Sequence, residues 1–234
     1  MAFDALLESL PQLFAQTDAM FTDSRLDNME SEVNDVQLSL NSLKSATVES
    51  LGARIMPFDI RSSADAVWDL LMHPSSDFFQ GAESNMAYSN DTTSHELRQC
   101  VKWGKSHFDL YSKFMSRRYD CPDRVVFVSS GRIEPLMVED APVDELVILM
   151  MDWTVVEKPR HQGIRQAGGA HISQAHRHGV VTFSVQSRTG EAEHTLLPMA
   201  EDVMSAMRAD LDKWDHQIEN RLLAKALQSP FASG

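Results

Sequence analysis

The sequence predicts an α+β fold: a curved antiparallel sheet wrapped around one long C-terminal helix, with an N-terminal helical extension. Two observations carry this. Between His95 and Ser187 several long segments alternate apolar and polar residues with the period of two that strands require. From Pro198 to Gln228 the period changes to that of a helix, with Val203, Met207, Leu211, Trp214, Ile218 and Leu222 forming one stripe. A sheet must bury its apolar face against another layer, and this helix is the only partner of sufficient length. A third observation, a change of texture at Leu51, divides the chain into a helical, heptad-bearing extension over 1–50 and a main domain over 51–234.

In the extension, Phe3, Leu6, Leu7, Leu10 and Phe14 have helical spacing over 1–16, and a polar stretch from Gln16 to Arg25 follows. Leu26, Met29, Val33, Val36, Leu40 and Leu43 then step alternately by three and four, which predicts a heptad helix of about three heptads. Such a helix either folds back on its own domain or, through residues 26–43, pairs with a second copy or a helical partner. The segment from Phe3 to Pro11 is also of the amphipathic type that docks in a groove, although a terminus packed on its own domain is the simpler expectation.

In the main domain, Ile55–Ile60 reads as a strand. A helix follows, capped by Ser62 or Ser63, with Val67, Trp68, Leu70 and Leu71 on its buried side. His95–Trp103 and His107–Tyr119 flank Gly104-Lys105 as a hairpin. Asp123–Glu134 and Asp144–Lys158 are further strands. On the latter, Val147, Leu149, Met151, Trp153 and Val155 share a wholly apolar face, expected to look into the interior. Pro159–His178 reads as a Gly- and His-rich loop, Gly179–Ser187 as the last strand.

Composition narrows the function classes. The formal net charge is −13, so phosphate backbones are repelled unless a local basic patch intervenes, and nucleic-acid binding is disfavoured. The extension has no basic region ahead of its heptads, against a DNA-binding zipper. No window approaches a membrane span and no secretory signal is evident, so a cytoplasmic, or else nuclear, chain with two free thiols, Cys100 and Cys121, is expected. The 13 methionines suit an adaptable apolar surface.

Catalytic chemistry finds little support. His161, His171, His176 and His178 gather in one stretch, yet their spacing matches no zinc signature and no Cys joins them, so no metal is assigned and a solvated loop is expected. Gly104-Lys105-Ser106 resembles the end of a phosphate loop, but Gln99 stands where the first Gly belongs and the context is strand to strand. Asp152 lies within an apolar strand. It is a polar anchor for a ligand, one of a buried charge pair with Arg132 or Arg98, or an outward-facing carboxylate, the last preferred because unpaired buried charge is costly. Nucleophile elbows, paired glycosidase carboxylates and dinucleotide fingerprints are absent, so neither an enzyme nor a cofactor is expected.

Three stretches carry a resemblance: Phe58-Asp-Ile-Arg-Ser-Ser-Ala-Asp-Ala-Val-Trp-Asp-Leu-Leu71, Arg117-Arg-Tyr-Asp-Cys-Pro-Asp-Arg-Val-Val-Phe-Val128 and Trp214-Asp-His-Gln-Ile-Glu-Asn-Arg-Leu-Leu223. Through them residues 51–228 resemble the START-like (SRPBCC, helix-grip) superfamily, in particular its eukaryotic type with an N-terminal zipper-like helix. The resemblance implies a cavity between sheet and long helix that holds a lipid or other apolar small molecule. Phe127, Met151, Trp153, Met204, Met207 and Leu211 are the candidate lining. Ser129-Ser130 stands where such relatives tend to carry Trp-Arg, so ligand identity is not carried over. Two other readings remain: a scaffold recruiting a partner through its N-terminal helix, and a cyclase- or aromatase-like enzyme using Asp152 with a loop histidine. Fold analogy alone supports the enzyme.

Overall fold

The computed structural model describes residues 3–23, 32–73, 83–103, 106–138, 141–142, 146–159, 172–185 and 193–228. The first element, α1 (Phe3–Asp23), runs through Pro11 and well past residue 16. Leu6, Leu10, Leu13, Thr17 and Phe21 recur every three or four residues and are all buried. The apparently polar stretch after Gln16 is therefore helix, with its polar side chains on the outer face.

Two strands follow, β1 (Val33–Ser42) and β2 (Ser45–Met56), paired antiparallel around a tight turn. This corrects the heptad helix. Over 33–42 the chain is a sheet edge, while Leu26 and Met29 lie outside the described residues. In extended backbone the supposed stripe splits: Val33 packs with the core beneath α1, and Val36 packs with the core on the opposite face. Leu40 and Leu43, at the hairpin tip, are 59% and 83% exposed. Residues 33–42 thus offer no helical face for self-pairing or a partner. The division expected between 50 and 51 falls inside β2, and the sheet starts at Val33.

After β2 comes α2 (Ile60–Met72). Its cap is Asp59 rather than a serine: the carboxylate accepts from the Ser62 backbone N–H at 2.9 Å and the Ser62 hydroxyl at 2.7 Å. These bonds, the backbone one foremost, hold the Asp59 carboxyl below its usual range. The remaining strands are β3 (Glu83–Tyr88), β4 (Thr92–Trp103), β5 (Ser106–Asp120), β6 (Arg124–Val138), the two-residue β7 (Ala141–Pro142), β8 (Leu146–Glu157) and β9 (Ser173–Val185). The last element is α3 (Glu193–Gln228), 36 residues with Pro198 near its start and on the order of 54 Å long at 1.5 Å per residue. The β4–β5 pairing runs to Trp103 opposite Ser106, the strand-to-strand context expected, while Gly104 and Lys105 lie outside the described residues.

The strands form one antiparallel sheet in the order β1-β2-β9-β8-β6-β5-β4-β3, with β7 added on β6. Both faces are covered, which explains why β8 is apolar on both sides. The concave face takes α2 and α3. The first half of α3, Leu196 to Leu211, packs on Val36, Val48, Ile148 and Phe183, and its second half, with Ile218 and Leu222, packs on α2 and Phe127. The convex face takes α1, which covers Val126, Val128, Trp153 and Val155. The apolar set of β8 containing Met151, Trp153 and Val155 therefore faces α1, not the gripped helix. Strand β9 also begins earlier than expected, so His176 and His178 are buried strand residues beside Phe21 of α1 rather than loop ligands. His161 and His171 lie outside the described residues. Both cysteines are free; Cys100 is exposed and Cys121 half-buried.

Candidate functional site

Between the sheet and α3 lies a cavity of about 340 Å³, with Leu70 and Leu71 of α2 in its wall. A smaller hollow, about 210 Å³, lies beside α1 among Asp18, Arg124, Glu157 and His176. The walls of the large cavity come from alternate residues of six strands, because only every second side chain reaches the concave face.

Cross-strand register sorts these residues into rows. One row reads Thr93, Ser116, Ser129, Asp152, Gly179, Ser50 across β4, β5, β6, β8, β9 and β2. Every member but Gly179, which has no side chain, is polar. Ser116 and Ser129 share a 2.7 Å hydroxyl hydrogen bond. The next row reads His95, Phe114, Gly131, Met150, Val181, Val48 and is almost wholly apolar. A polar belt therefore crosses the floor of an otherwise apolar chamber.

Asp152 belongs to this belt, which overturns its outward placement. Its Oδ2 accepts from Arg177 Nε at 3.1 Å, while Arg132 and Arg98 pair elsewhere, with Glu134 at 2.6 Å and Asp109 at 3.3 Å. The Arg177 guanidinium also lies 4.8 Å from the Trp214 ring centre, a cation–π contact that ties sheet to helix. Gly179 permits the close approach: a Cβ there would sit 2.6 Å from Ser50 Oγ and 3.1 Å from Asp152 Oδ2.

At the α2 end stands His95, 6% exposed. Its Nε2 lies 3.1 Å from the Leu71 carbonyl and 2.9 Å from the Thr93 hydroxyl. A carbonyl only accepts, so Nε2 carries the proton. Burial pushes the imidazole below its usual range, His73 adds to the push, and the bond to Leu71 opposes it. The unfolded chain takes up this proton near pH 6.5, whereas the folded protein resists it. The contribution to stability is thus complete above about pH 6.5 and is lost as the pH falls below it. Thermal melts at pH 7 and pH 5 should show a smaller acid-side loss for His95→Gln than for the parent; equal losses would contradict the assignment.

Of the residues anticipated as lining, Met207 and Leu211 face the cavity. Met204 packs beside the core formed by the first half of α3. Phe127 lies on the concave face but stacks on Trp68 at 6.2 Å in the adjoining core. Met151 and Trp153 are on the far side of the sheet. The sequence reading missed Ser50, His95, Gln99, Phe114, Arg177 and Gly179. The signal for Phe114 was present, since Leu110, Ser112, Phe114 and Ser116 alternate along β5. Arg177 was hidden by reading its segment as loop, and Gly179, read as the start of the last strand, has no side chain to signal a wall. Among the described residues no cluster of His, Cys, Asp or Glu is arranged for a metal, and no helix is long and apolar enough to cross a membrane.

No family model and no curated protein sequence matches the chain. Solved structures do resemble it. The human StarD13 lipid transfer and protein localization domain is 9% identical over 88% of this chain and 96% of its own, with a TM-score of 0.33. Human STARD10 is 7% identical over 86% and 78%, TM-score 0.40. The Zhui aromatase/cyclase from Streptomyces sp. R1128 is 14% identical over 80% and 98%, TM-score 0.42. The helix-grip architecture, a curved antiparallel sheet closed over α3, rests on the chain's own sheet order and not on these likenesses.

Proposed function

We propose that the chain binds a lipid or other hydrophobic small molecule in the cavity between sheet and α3, without transforming it. The observation that carries this is the chamber itself: about 340 Å³, within the usual range for ligand sites, mostly apolar and crossed by a few fixed polar groups. Each 100 Å² of ligand apolar surface removed from water there contributes about 2.5 kcal/mol before the cost of association. The cyclase-like reading needs an acid–base pair free to act, and Asp152 is engaged by Arg177 rather than by a histidine.

Met207→Trp places an indole in the chamber and should weaken uptake of the uncharged fluorophore N-phenyl-1-naphthylamine by about ten-fold or more. Leu211→Trp provides a second obstruction from the same helix. Fluorescence titration with a parallel thermal melt reads both effects. Unchanged uptake in folded variants would sink the proposal.

A further inference from the structure

Hydrogen-bonding capacity left over in the chamber bears on the kind of molecule that fits it. His95 Nε2 is committed to Leu71 and Thr93, which leaves Nδ1 of the neutral ring as a bare acceptor. That Nδ1 is buried and has no hydrogen-bond partner among the described residues. Four residues along β4, on the same face, Gln99 Oε1 is likewise buried and without a partner among them. Both residues line the cavity. A buried acceptor left unmet costs about 1–3 kcal/mol, so two on one strand are more economically read as waiting for donors than as defects.

Charge in the chamber points the same way. Its lining holds the carboxylates Asp152 and Asp210 against one guanidinium, Arg177, and Arg177 is already bonded to Asp152. A ligand carboxylate or phosphate would enter a low-dielectric space with no free cation among the described residues of its lining. A ligand hydroxyl or amide N–H meets no such penalty, and it satisfies an atom those residues leave unsatisfied. On the far wall, Ser50 Oγ is a third buried group without a partner among the described residues. As a hydroxyl it can accept or donate.

Building on the cavity reading above, we infer that the chamber selects an uncharged amphiphile that donates hydrogen bonds, a hydroxyl- or amide-bearing apolar molecule, with His95 Nδ1 and Gln99 Oε1 as the acceptors. The discrimination comes from leaving acceptors unpaired when the wrong ligand binds, which is the strong form of polar selectivity.

Three probes of matched chain length separate the possibilities: 1-decanol, decyl methyl ether and decanoate, each titrated calorimetrically into the full chain at pH 7.5. The alcohol should bind about ten-fold or more tightly than the ether, one hydrogen bond's worth, and the carboxylate should bind most weakly. One hydroxyl donates to one acceptor, so one of the two variants, Gln99→Leu or His95→Phe, should bring alcohol and ether to similar affinity, with thermal melts checking that each is folded. The preference surviving in both folded variants would overturn the inference; if His95→Phe does not fold, the alcohol-to-ether ratio of the parent decides. Decanoate binding as tightly as decanol, or an ether equal to the alcohol, would overturn the inference and leave the cavity reading standing, provided Met207→Trp still blocks uptake. Failure of all three probes to bind would remove both.

Discussion

Trp153→Ala should destabilise the protein by about 3–5 kcal/mol while leaving uptake of an apolar ligand intact. The side chain is 1% exposed and sits on the convex face of β8, packed with Leu10, Leu13 and Phe21 of α1 and with Val126 and Val128 of β6. Its indole N–H donates to the Leu13 carbonyl at 2.8 Å. Truncation removes a buried indole from the core between α1 and the sheet, opens a void there, and deletes the hydrogen bond. For a chain of this size the loss corresponds to about 6–20 °C in melting temperature. Urea unfolding gives the free energy, and hydrogen exchange should show α1 losing protection before the strands. The two readouts separate two roles for this residue. Loss of binding with stability unchanged would return Trp153 to the cavity wall, where the sequence reading put it.

Gly131→Ala should have the largest effect on the cavity of any one-carbon change. A Cβ at 131 would lie 2.3 Å from Phe114 Cδ1 and 2.7 Å from Cε1, distances that no packing tolerates. Gly131 faces Phe114 directly across the β5–β6 pair, and Phe114 is itself a wall of the chamber. The ring has the sheet beneath it and the chamber above, so it must swing into the chamber. Overpacking of this kind costs about 1–3 kcal/mol, and uptake of N-phenyl-1-naphthylamine should fall about ten-fold as the space fills. Phe114→Leu should rescue both quantities in the double variant, and the double-mutant cycle should show coupling of at least 0.5 kcal/mol. Additive effects, or full uptake in the single variant, would show that the ring escapes in another direction.

The sequence carried the architecture well because the two periodicities are unambiguous where they are long: α3 across Val203 to Leu222, and β4 to β6 with their alternating faces. It carried the near end of the fold badly. Val33, Val36, Leu40 and Leu43 match a heptad by count, yet Val36, Leu38 and Leu40 alternate equally well with Gln37, Ser39 and Asn41, and Asn, Asp and Ser favour turns and extended backbone over helix. Pairing decided between the two: β1 pairs with β2 across a tight turn, and β2 is held in turn by β9, whose place far along the chain leaves no local signature. The site suffered for a different reason. Met151 and Trp153 were assigned inward because their face of β8 is the more apolar, but a sheet covered on both sides makes apolarity uninformative about direction. Asp152 looked misplaced on an otherwise apolar strand until register set it beside Arg177. The polar belt is a property of six aligned strands, and no one of them shows it alone.

The sheet order has a consequence for how the chain reaches this state. Strand β2 lies between β1 and β9, and Ala46 pairs with Phe183, about 140 residues later. Contacts of such separation are slow to form because the intervening loop must close before they reward it. At roughly 5–20 residues per second, about 7–28 s of synthesis separates the two partners. Throughout that interval the β1–β2 hairpin has no neighbour on its inner edge, and Ala46 and Val48, fully buried at the end, face water. The last strand and the helix that follows it close the molecule, so a chain halted before β9 holds an unpaired, apolar hairpin edge and is the form in which this protein is most prone to aggregate and most in need of a chaperone.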